Sequence, residues 1–266
     1  MVDSMQAAII KKDFRGIVSN KRLFPVLLVV PLIFTLVIPS IFILAINFAP
    51  DDLDQLQPLI DMMPQGNQTE TLSRAVIDLI MNNIMPVFFT MIPIMAASVM
   101  AASSFIGEKE KRTLETLLYC PLPIKKIFQA KVWASFLVSM TVSASSFLIM
   151  MVVIGIEVLL TTGSMFVPGA SWIVMMLLVS PSTSLLAITI IVGGSAKSQT
   201  MEESQQRAVF LIIPLMLLII GQFTGVILIN AWYLLGLGAA VAAIAAFMMK
   251  RSERRYTYEA LLMGQP

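Results

Sequence analysis

The stretch AVFLIIPLMLLIIGQFTGVILINAWYLLGLGAAVAAIAAFMM, residues 208–249, determines how many times this chain crosses a membrane. Its 42 residues include no charged side chain. One crossing of about 30 Å of hydrocarbon takes about 20 apolar residues, so the stretch is long enough for two crossings. Arg207 precedes it, and four basic residues follow it within 250–255. Because basic flanks mark the cytoplasmic side, both ends lie on that side, and the chain turns back near Asn230.

The rest of the chain adds four apolar stretches, each long enough for one crossing. The 266 residues are 58% apolar and 13% charged, whereas soluble domains are about 45–50% apolar and about 25% charged. The sequence therefore predicts one all-α integral membrane domain, residues 1–266, with six transmembrane helices at about 24–48, 84–106, 132–160, 172–193, 208–229 and 231–249. Prolines predict bends in the first span, at Pro25, Pro31 and Pro39, and in the fourth span, at Pro181.

The charge distribution orients these helices. Every lysine and arginine except Arg74 falls before residue 24 or within 107–131, 197–207 and 250–255. The predicted external loop, about 49–83, carries six acidic residues instead. By the positive-inside rule, both termini lie in the cytoplasm. Residues 3–22 mix apolar and basic side chains at helical spacing, which predicts an amphipathic helix at the cytoplasmic membrane interface; a charged tail in water is the alternative.

The segment GEKEKRTLETLLYCPLP, residues 107–123, places charge between two apolar spans. Within it Leu114, Leu117 and Leu118 recur at helical spacing, on the face opposite the charges. Two prolines end this helix, and a second apolar repeat begins at Ile124. The pattern predicts two short amphipathic helices on the cytoplasmic side, suited to docking against a soluble partner.

Residues 107–115, GEKEKRTLE, are similar to the GEKERGTLE-type stretch of ABC-2 permeases, the membrane subunits of a class of ABC transporters. The resemblance extends over most of the chain. It includes the N-terminal interfacial helix, the six spans, the large first external loop and a polar loop with Ala196-Lys197-Ser198 ahead of Glu202. Arg112 stands where that family commonly has glycine, which favours ordinary helix at that point.

The resemblance implies an ABC-2 architecture and a function in ATP-driven export across a prokaryotic cell membrane. It implies a dimer with a second copy or a sister permease, coupled to two copies of a separate cytoplasmic ABC ATPase that binds ATP and magnesium. It assigns residues 107–131 as the coupling region, which contacts a groove of the ATPase through Glu108, Arg112, Thr113, Leu114, Glu115, Leu117 and Leu118. The chain has no G-x-x-x-x-G-K-[ST] loop for nucleotide phosphates, and we expect it to bind no cofactor, metal or nucleic acid.

Five polar residues at bilayer depth are candidates for the substrate pathway. Glu157 is the one ionisable residue inside an apolar run, and an intramembrane acid is a functional candidate; a carboxylate that reaches external water is the alternative. Thr90 and Ser98 lie in the second span, and Gln222 and Thr224 lie in the fifth. These two spans line the pathway in the resembled family. Hydrogen bonds between helices are the alternative for these four residues.

Two other functions compete with transport. A non-transporting membrane scaffold or an immunity protein would share the topology and the amphipathic cytoplasmic helices. Residues 202–207, EESQQR, match the E-E-x-x-x-R signature of CAAX-type intramembrane proteases. Those enzymes use histidines beside the glutamate, and this chain has no histidine. An ion pair between Glu203 and Arg207, one helical turn apart, explains the match without catalysis.

Overall fold

The computed structural model describes residues 4–19, 23–48, 72–110, 123–194, 200–224, 226 and 229–255. In this part of the chain every regular element is helical. Six of the helices are long and apolar enough to cross a membrane. The prediction of an all-α protein with six spans is confirmed.

The elements follow one another in a simple order. Helix α1 is Ser4–Val18, and span 1 joins Leu23–Leu32, Ile33–Val37 and Ile38–Phe48. Span 2 joins Leu72–Leu79, Ile80–Ile84, Met85–Phe89 and Met91–Phe105, and the short helix α2, Gly107–Glu110, follows it. Span 3 is Ile124–Thr162, and span 4 joins Ala170–Val174, Met175–Val179 and Ser180–Gly194. Helix α3, Met201–Gln206, precedes span 5, Val209–Phe223, and span 6, Ala231–Arg255.

Spans 2 and 3 begin well before their predicted starts. Residues 72–83, assigned from the sequence to the external loop, are helical and continuous with span 2. The turns after Pro123, predicted as a separate amphipathic helix, are the start of span 3, which has 39 residues. At about 1.5 Å per residue this helix is about 58 Å long, so it projects well beyond about 30 Å of hydrocarbon.

Three prolines each stand two residues after a wide π-helical turn. The pairs are Ile33–Val37 with Pro39, Ile80–Ile84 with Pro86, and Met175–Val179 with Pro181. A proline has no N–H to donate, and its ring clashes with the carbonyl four residues earlier. In all three cases the residue before the proline donates its N–H to the carbonyl five residues back. Each proline therefore widens the helical turn that precedes it.

Span 2 lies at the centre of the bundle. In its most apolar window 89% of the residues are buried, against 22% in span 5 and 17% in span 6. Spans 3 and 4 pack directly against it. Span 6 packs against span 4, and at Gly238 an added Cβ would lie 2.9 Å from Leu178. A small residue at this point is what permits the approach.

Buried serines join spans 2, 3 and 4. Ser139 donates to the carbonyl of Pro93 at 2.9 Å, and its Oγ lies 2.9 Å from that of Ser184. Because the single hydroxyl hydrogen of Ser139 goes to the carbonyl, Ser184 is the donor in the second bond. One turn away on the same two helices, Ser143 and Ser180 are fully buried, and their hydroxyl groups have no partner among the described residues.

Candidate functional site

A buried ion pair joins α2, the short helix after span 2, to span 3. It lies at the end of the bundle where α1 lies, which the sequence predicts to be cytoplasmic. Lys131 is 1% exposed. Its Nζ donates to Glu108 Oε2 at 2.7 Å and to the backbone carbonyl of Ser104. The same ammonium lies 5.5 Å from the centre of the Phe105 ring, which is within cation–π range. The charge of Lys131 is thus matched inside the protein.

Glu108 extends this pair to α1. Its Oε1 accepts a hydrogen bond from Lys12 Nζ at 2.7 Å. The side chain of Lys12 is 58% exposed, whereas that of Glu108 is 10% exposed. Burial acts to raise the pKa of the Glu108 carboxyl, but the charge of Lys131 and the hydrogen bonds from Lys12 and Lys131 outweigh burial, so this pKa lies below its ordinary value. We call these three side chains the Lys12–Glu108–Lys131 cluster.

Helix α2 also contacts α3, the helix that precedes span 5. Glu110 Oε2 accepts a hydrogen bond from the backbone N–H of Met201 at 3.2 Å. Gly107 lies so close to the same residue that an added Cβ would be 3.2 Å from the Met201 Sδ. Through these contacts and the Lys12–Glu108–Lys131 cluster, α2 connects α1, span 2, span 3 and α3.

The structure describes one of the seven residues predicted to contact an ATPase. Glu108 does not point to solvent, because two ammonium groups of the chain itself surround its carboxylate. The described contacts of its carboxylate are therefore with α1 and span 3 of the chain itself. The other six lie outside the described residues: Arg112, Thr113, Leu114, Glu115, Leu117 and Leu118.

At the opposite end of the bundle, the π-helical turn of span 2 binds side chains and backbone from other parts of the chain. Because the Met85 N–H reaches back to Ile80, the Met81 carbonyl lacks its usual helical donor. The indole N–H of Trp172 in span 4 donates to this carbonyl at 3.0 Å. Asn82 Oδ1 accepts from the backbone N–H of Gly169 at 2.7 Å, just before span 4 begins. The π turn thus provides the acceptors that fix span 4 against span 2.

Gln222, a predicted pathway residue, binds the same turn from span 5. It is fully buried, and its Nε2 donates to the carbonyl of Asn83 at 3.0 Å. Its Oε1 has no hydrogen-bond partner among the described residues. The interhelical hydrogen bond that was the alternative to a pathway role for this residue is therefore present, and the carboxamide keeps one acceptor without a partner among the described residues.

The three hydroxyl candidates for the pathway donate within their own helices. Thr90 is 1% exposed, donates to the carbonyl of Pro86 at 3.4 Å and lies 3.5 Å from Met175 Sδ of span 4. Ser98 donates to the carbonyl of Ile94 at 2.6 Å. Thr224 is exposed and donates to the carbonyl of Ile220 at 3.0 Å. Thr90 lies beside spans 5 and 6, on the same side of span 2 as Gln222.

Glu157 is held between spans 1 and 3, apart from Thr90 and Gln222. The hydroxyl of Ser40 donates to its Oε1 at 2.6 Å. Its Oε2 is buried and has no partner among the residues that the structure describes. The structure therefore does not bring the five pathway candidates into one site.

Lys12 and Lys131 were not among the predicted site residues, although the sequence carries a signal for Lys131. It continues the helical face of Ile124, Ile127 and Phe128 at the next turn. A lysine on an apolar face is rarely buried unless it is paired. The pattern therefore predicts that Lys131, if it is buried, has a carboxylate partner. The nearest acids in the sequence are in the preceding segment, but nothing in the spacing selects Glu108 over its neighbours.

The comparisons with known proteins agree with this architecture. No curated protein and no solved structure matches the chain. A family model described as ABC-2 family transporter protein matches residues 7–234. The match runs from α1 into span 6 and covers all five earlier spans and residues 107–131. With six membrane-spanning helices, this chain belongs to the ABC-2 transporter family, whose members are multi-pass membrane components that associate with an ABC ATPase.

Proposed function

We propose that this chain is the membrane subunit of an ATP-driven exporter, in which two permease chains form the substrate pathway. The family match supports this proposal. The structural observation that carries the mechanism is the Lys12–Glu108–Lys131 cluster, which lies where the coupling region begins and ends. A separate cytoplasmic ATPase, in two copies, binds ATP and magnesium and supplies the energy. The α1 end of the bundle faces the cytoplasm of a prokaryotic cell.

In this mechanism, closure of the ATPase pair displaces the coupling region, residues 107–131. Glu108 at its start is bound to both Lys12 and Lys131. Separating a buried ion pair leaves an uncompensated charge and costs about 3–5 kcal/mol. It is therefore easier for α1 and the adjoining ends of spans 2 and 3 to move as one body than to separate.

The hydrogen bond between Glu110 and Met201 links these moving helices to α3, the helix that precedes span 5. Spans 2 and 5 carry Thr90 and Gln222, which we place in the pathway. A tilt of these two spans relative to one another changes the space between them. Thr90 also bonds within its own helix, but it is preferred to Ser98 and Thr224 because it lies beside spans 5 and 6. Ser98, Thr224 and Glu157, which faces span 1, are kept as secondary candidates.

Isolation of the tagged full chain from native membranes under mild extraction tests the proposal. We expect a complex of two permease and two ATPase subunits that hydrolyses ATP with magnesium. Leu114→Asp places a charge in the apolar contact with the ATPase. Because a buried apolar anchor often contributes about 2 kcal/mol or more to binding, this variant should abolish substrate-stimulated hydrolysis. Glu115 lies among the polar residues around this apolar contact, so Glu115→Ala should reduce the substrate-stimulated hydrolysis only in part.

Circular dichroism of both variants controls for folding of the membrane helices. A chain that purifies without any nucleotide-binding partner would support the alternative, a non-transporting scaffold or an immunity protein. Unchanged assembly and hydrolysis in Leu114→Asp would show that the segment does not couple the two proteins.

A further inference from the structure

Helix α1 lies on the outside of the helical bundle and is held there along one side. Among its described side chains only Ile9 is buried, and it packs against Ile127 and Ala130 of span 3. Lys12, three residues further along α1, binds Glu108. These contacts fix one side of α1 against the bundle and leave its opposite side exposed.

The exposed side of α1 combines two cations with an aromatic ring. Lys11, Phe14 and Arg15 are all exposed, and 48% of the surface of Phe14 is accessible. At 3.6 residues per turn, these three residues lie on the side of the helix away from Ile9. Cationic side chains next to an exposed phenyl ring are typical of a helix that lies in the headgroup region of a membrane.

The two cations are close enough to share one anion. Lys11 and Arg15 are one helical turn apart, so their Cβ atoms are about 5–6 Å apart, and like charges at this spacing repel each other. Neither side chain has an ion-pair partner among the described residues. A phosphate between them would remove the repulsion, because it accepts hydrogen bonds from both the guanidinium and the ammonium group.

Trp133 of span 3 indicates how deep α1 lies in the membrane. Its side chain is 53% exposed, and tryptophan is enriched where the hydrocarbon meets the headgroups. Ala130, which packs against α1, precedes Trp133 by three residues, or about 4.5 Å along the helix. Lys125 and Lys126, another turn before Ala130, are exposed. Helix α1 is therefore at the level of the lipid phosphates.

We propose that the exposed side of α1 binds an anionic phospholipid. The lipid phosphate lies between Lys11 and Arg15, and an acyl chain packs beside Phe14. Two cations without a carboxylate partner attract a headgroup of net negative charge more strongly than a zwitterionic one. Because Lys12 of the same helix is bound to Glu108, the lipid also holds the Lys12–Glu108–Lys131 cluster at the membrane surface. The binding requires only a bilayer and goes beyond the proposed transport.

Photolabelling of the full-length chain in nanodiscs of phosphatidylcholine tests the binding. The two probes, present in trace amounts, are phosphatidylglycerol and phosphatidylcholine with a diazirine near the headgroup end of one acyl chain. Each cation near an anionic headgroup should contribute about fivefold. In peptides from residues 4–19 the phosphatidylglycerol probe should therefore be preferred by about 25-fold. Unlabelled phosphatidylglycerol should displace it, and inorganic phosphate at the same concentration should not.

Matched variants locate the lipid. Lys11→Gln with Arg15→Gln should remove the preference and keep labelling by the phosphatidylcholine probe, which also reports that α1 still lies at the membrane. Lys250→Gln with Arg251→Gln removes two exposed cations at the end of span 6 and should keep the preference in the α1 peptides. Phe14→Ser removes the apolar contact and should lower labelling by both probes.

A preference that persists in Lys11→Gln with Arg15→Gln would overturn the proposal. An equal loss in Lys250→Gln with Arg251→Gln would do the same, because it would show general attraction to a basic end of the protein. Displacement by inorganic phosphate would reveal a site for free anions and refute the lipid. Absence of α1 labelling by either probe would place the helix in water, away from lipid. The assay contains no ATPase, so none of these results bears on the proposed function.

Conversely, a chain that shows the expected lipid preference but purifies without an ATPase would refute only the proposed function.

Discussion

Lys131 Nζ lies 2.7 Å from Glu108 Oε2, and the two residues are 1% and 8% exposed. An ion pair so far from water stabilises a fold only when its remaining donors and acceptors are matched. Here the Ser104 carbonyl and Lys12 provide those matches. The pair thus holds α1, span 2 and span 3 together. It lies at the coupling region, residues 107–131, on which we propose that an ATPase acts.

The first prediction ranks the loss of the buried Glu108–Lys131 pair above the loss of the exposed pair between Lys12 and Glu108. Glu108→Gln leaves the buried Lys131 without its carboxylate, which costs about 3–5 kcal/mol. Lys12→Met removes a partner whose side chain is 58% exposed, and such pairs contribute about 0–1 kcal/mol. The Tm of the full chain in detergent should fall much further in Glu108→Gln. Equal losses would contradict this ranking.

A double variant provides the control for that measurement. Glu108→Gln with Lys131→Met removes both charges of the buried pair and leaves no buried ammonium without its carboxylate, since the side chain of Lys12 is 58% exposed. It should therefore recover a large part of the Tm lost in Glu108→Gln alone. Lys11→Glu, at an exposed position beside Lys12 on α1, should have a small effect.

The second prediction is a loss of stability in acid that depends on Glu108. The folded pKa of this carboxyl lies below its ordinary value of 4.5, so its contribution to stability is complete above that value. As the pH falls toward the folded pKa, the unfolded chain takes up the proton first, and the contribution is lost. From about pH 6 to about pH 3 the Tm of the wild-type chain should fall more than that of Glu108→Gln. Parallel curves would assign the acid sensitivity to other groups.

The third prediction separates two pairs of buried serines. Ser139→Ala leaves the Ser184 hydroxyl without its acceptor and removes the donor to the Pro93 carbonyl, which should cost about 1 kcal/mol or more. Ser143→Ala and Ser180→Ala each remove a buried hydroxyl that has no partner among the described residues. These two substitutions should leave Tm unchanged or raise it. A decrease in both, comparable to that of Ser139→Ala, would mean that these hydroxyl groups are bonded in the membrane.

The fourth prediction is the orientation of the chain. Cys120 is the one native cysteine, so Cys120→Ser provides a background without thiols. In that background Asp61→Cys, in the predicted external loop, should react with an impermeant thiol reagent added to intact cells. Lys125→Cys, at an exposed position near the start of span 3, should react only after the membrane has been permeabilised. Reaction of both in intact cells would contradict the orientation.

The sequence by itself determined the class of the fold and much of its layout. Length and hydropathy defined six crossings, because hydrocarbon admits only long apolar helices whose backbone groups bond internally. The prolines also had local consequences: Pro39 and Pro181 each follow a π turn, which accommodates the missing N–H and the ring. Pro86 does the same in span 2, although no bend was predicted there. Pro31, where a bend was predicted, lies inside an α-helical segment instead. The GEKEKRTLE stretch and the span pattern indicated the family that the comparison confirmed.

Only the tertiary structure decided which groups meet. Leu160 is 80% exposed and Ile154 is 1% exposed in the same helix, yet both are apolar, because lipid and protein interior select the same side chains. Hydropathy therefore finds the spans but does not reveal which face of a span packs inward. The pairing of Lys131 with Glu108, of Ser184 with Ser139 and of Trp172 with the Met81 carbonyl depends on how the helices pack. The periodicity of a single helix places each of these groups on a face but does not specify its partner.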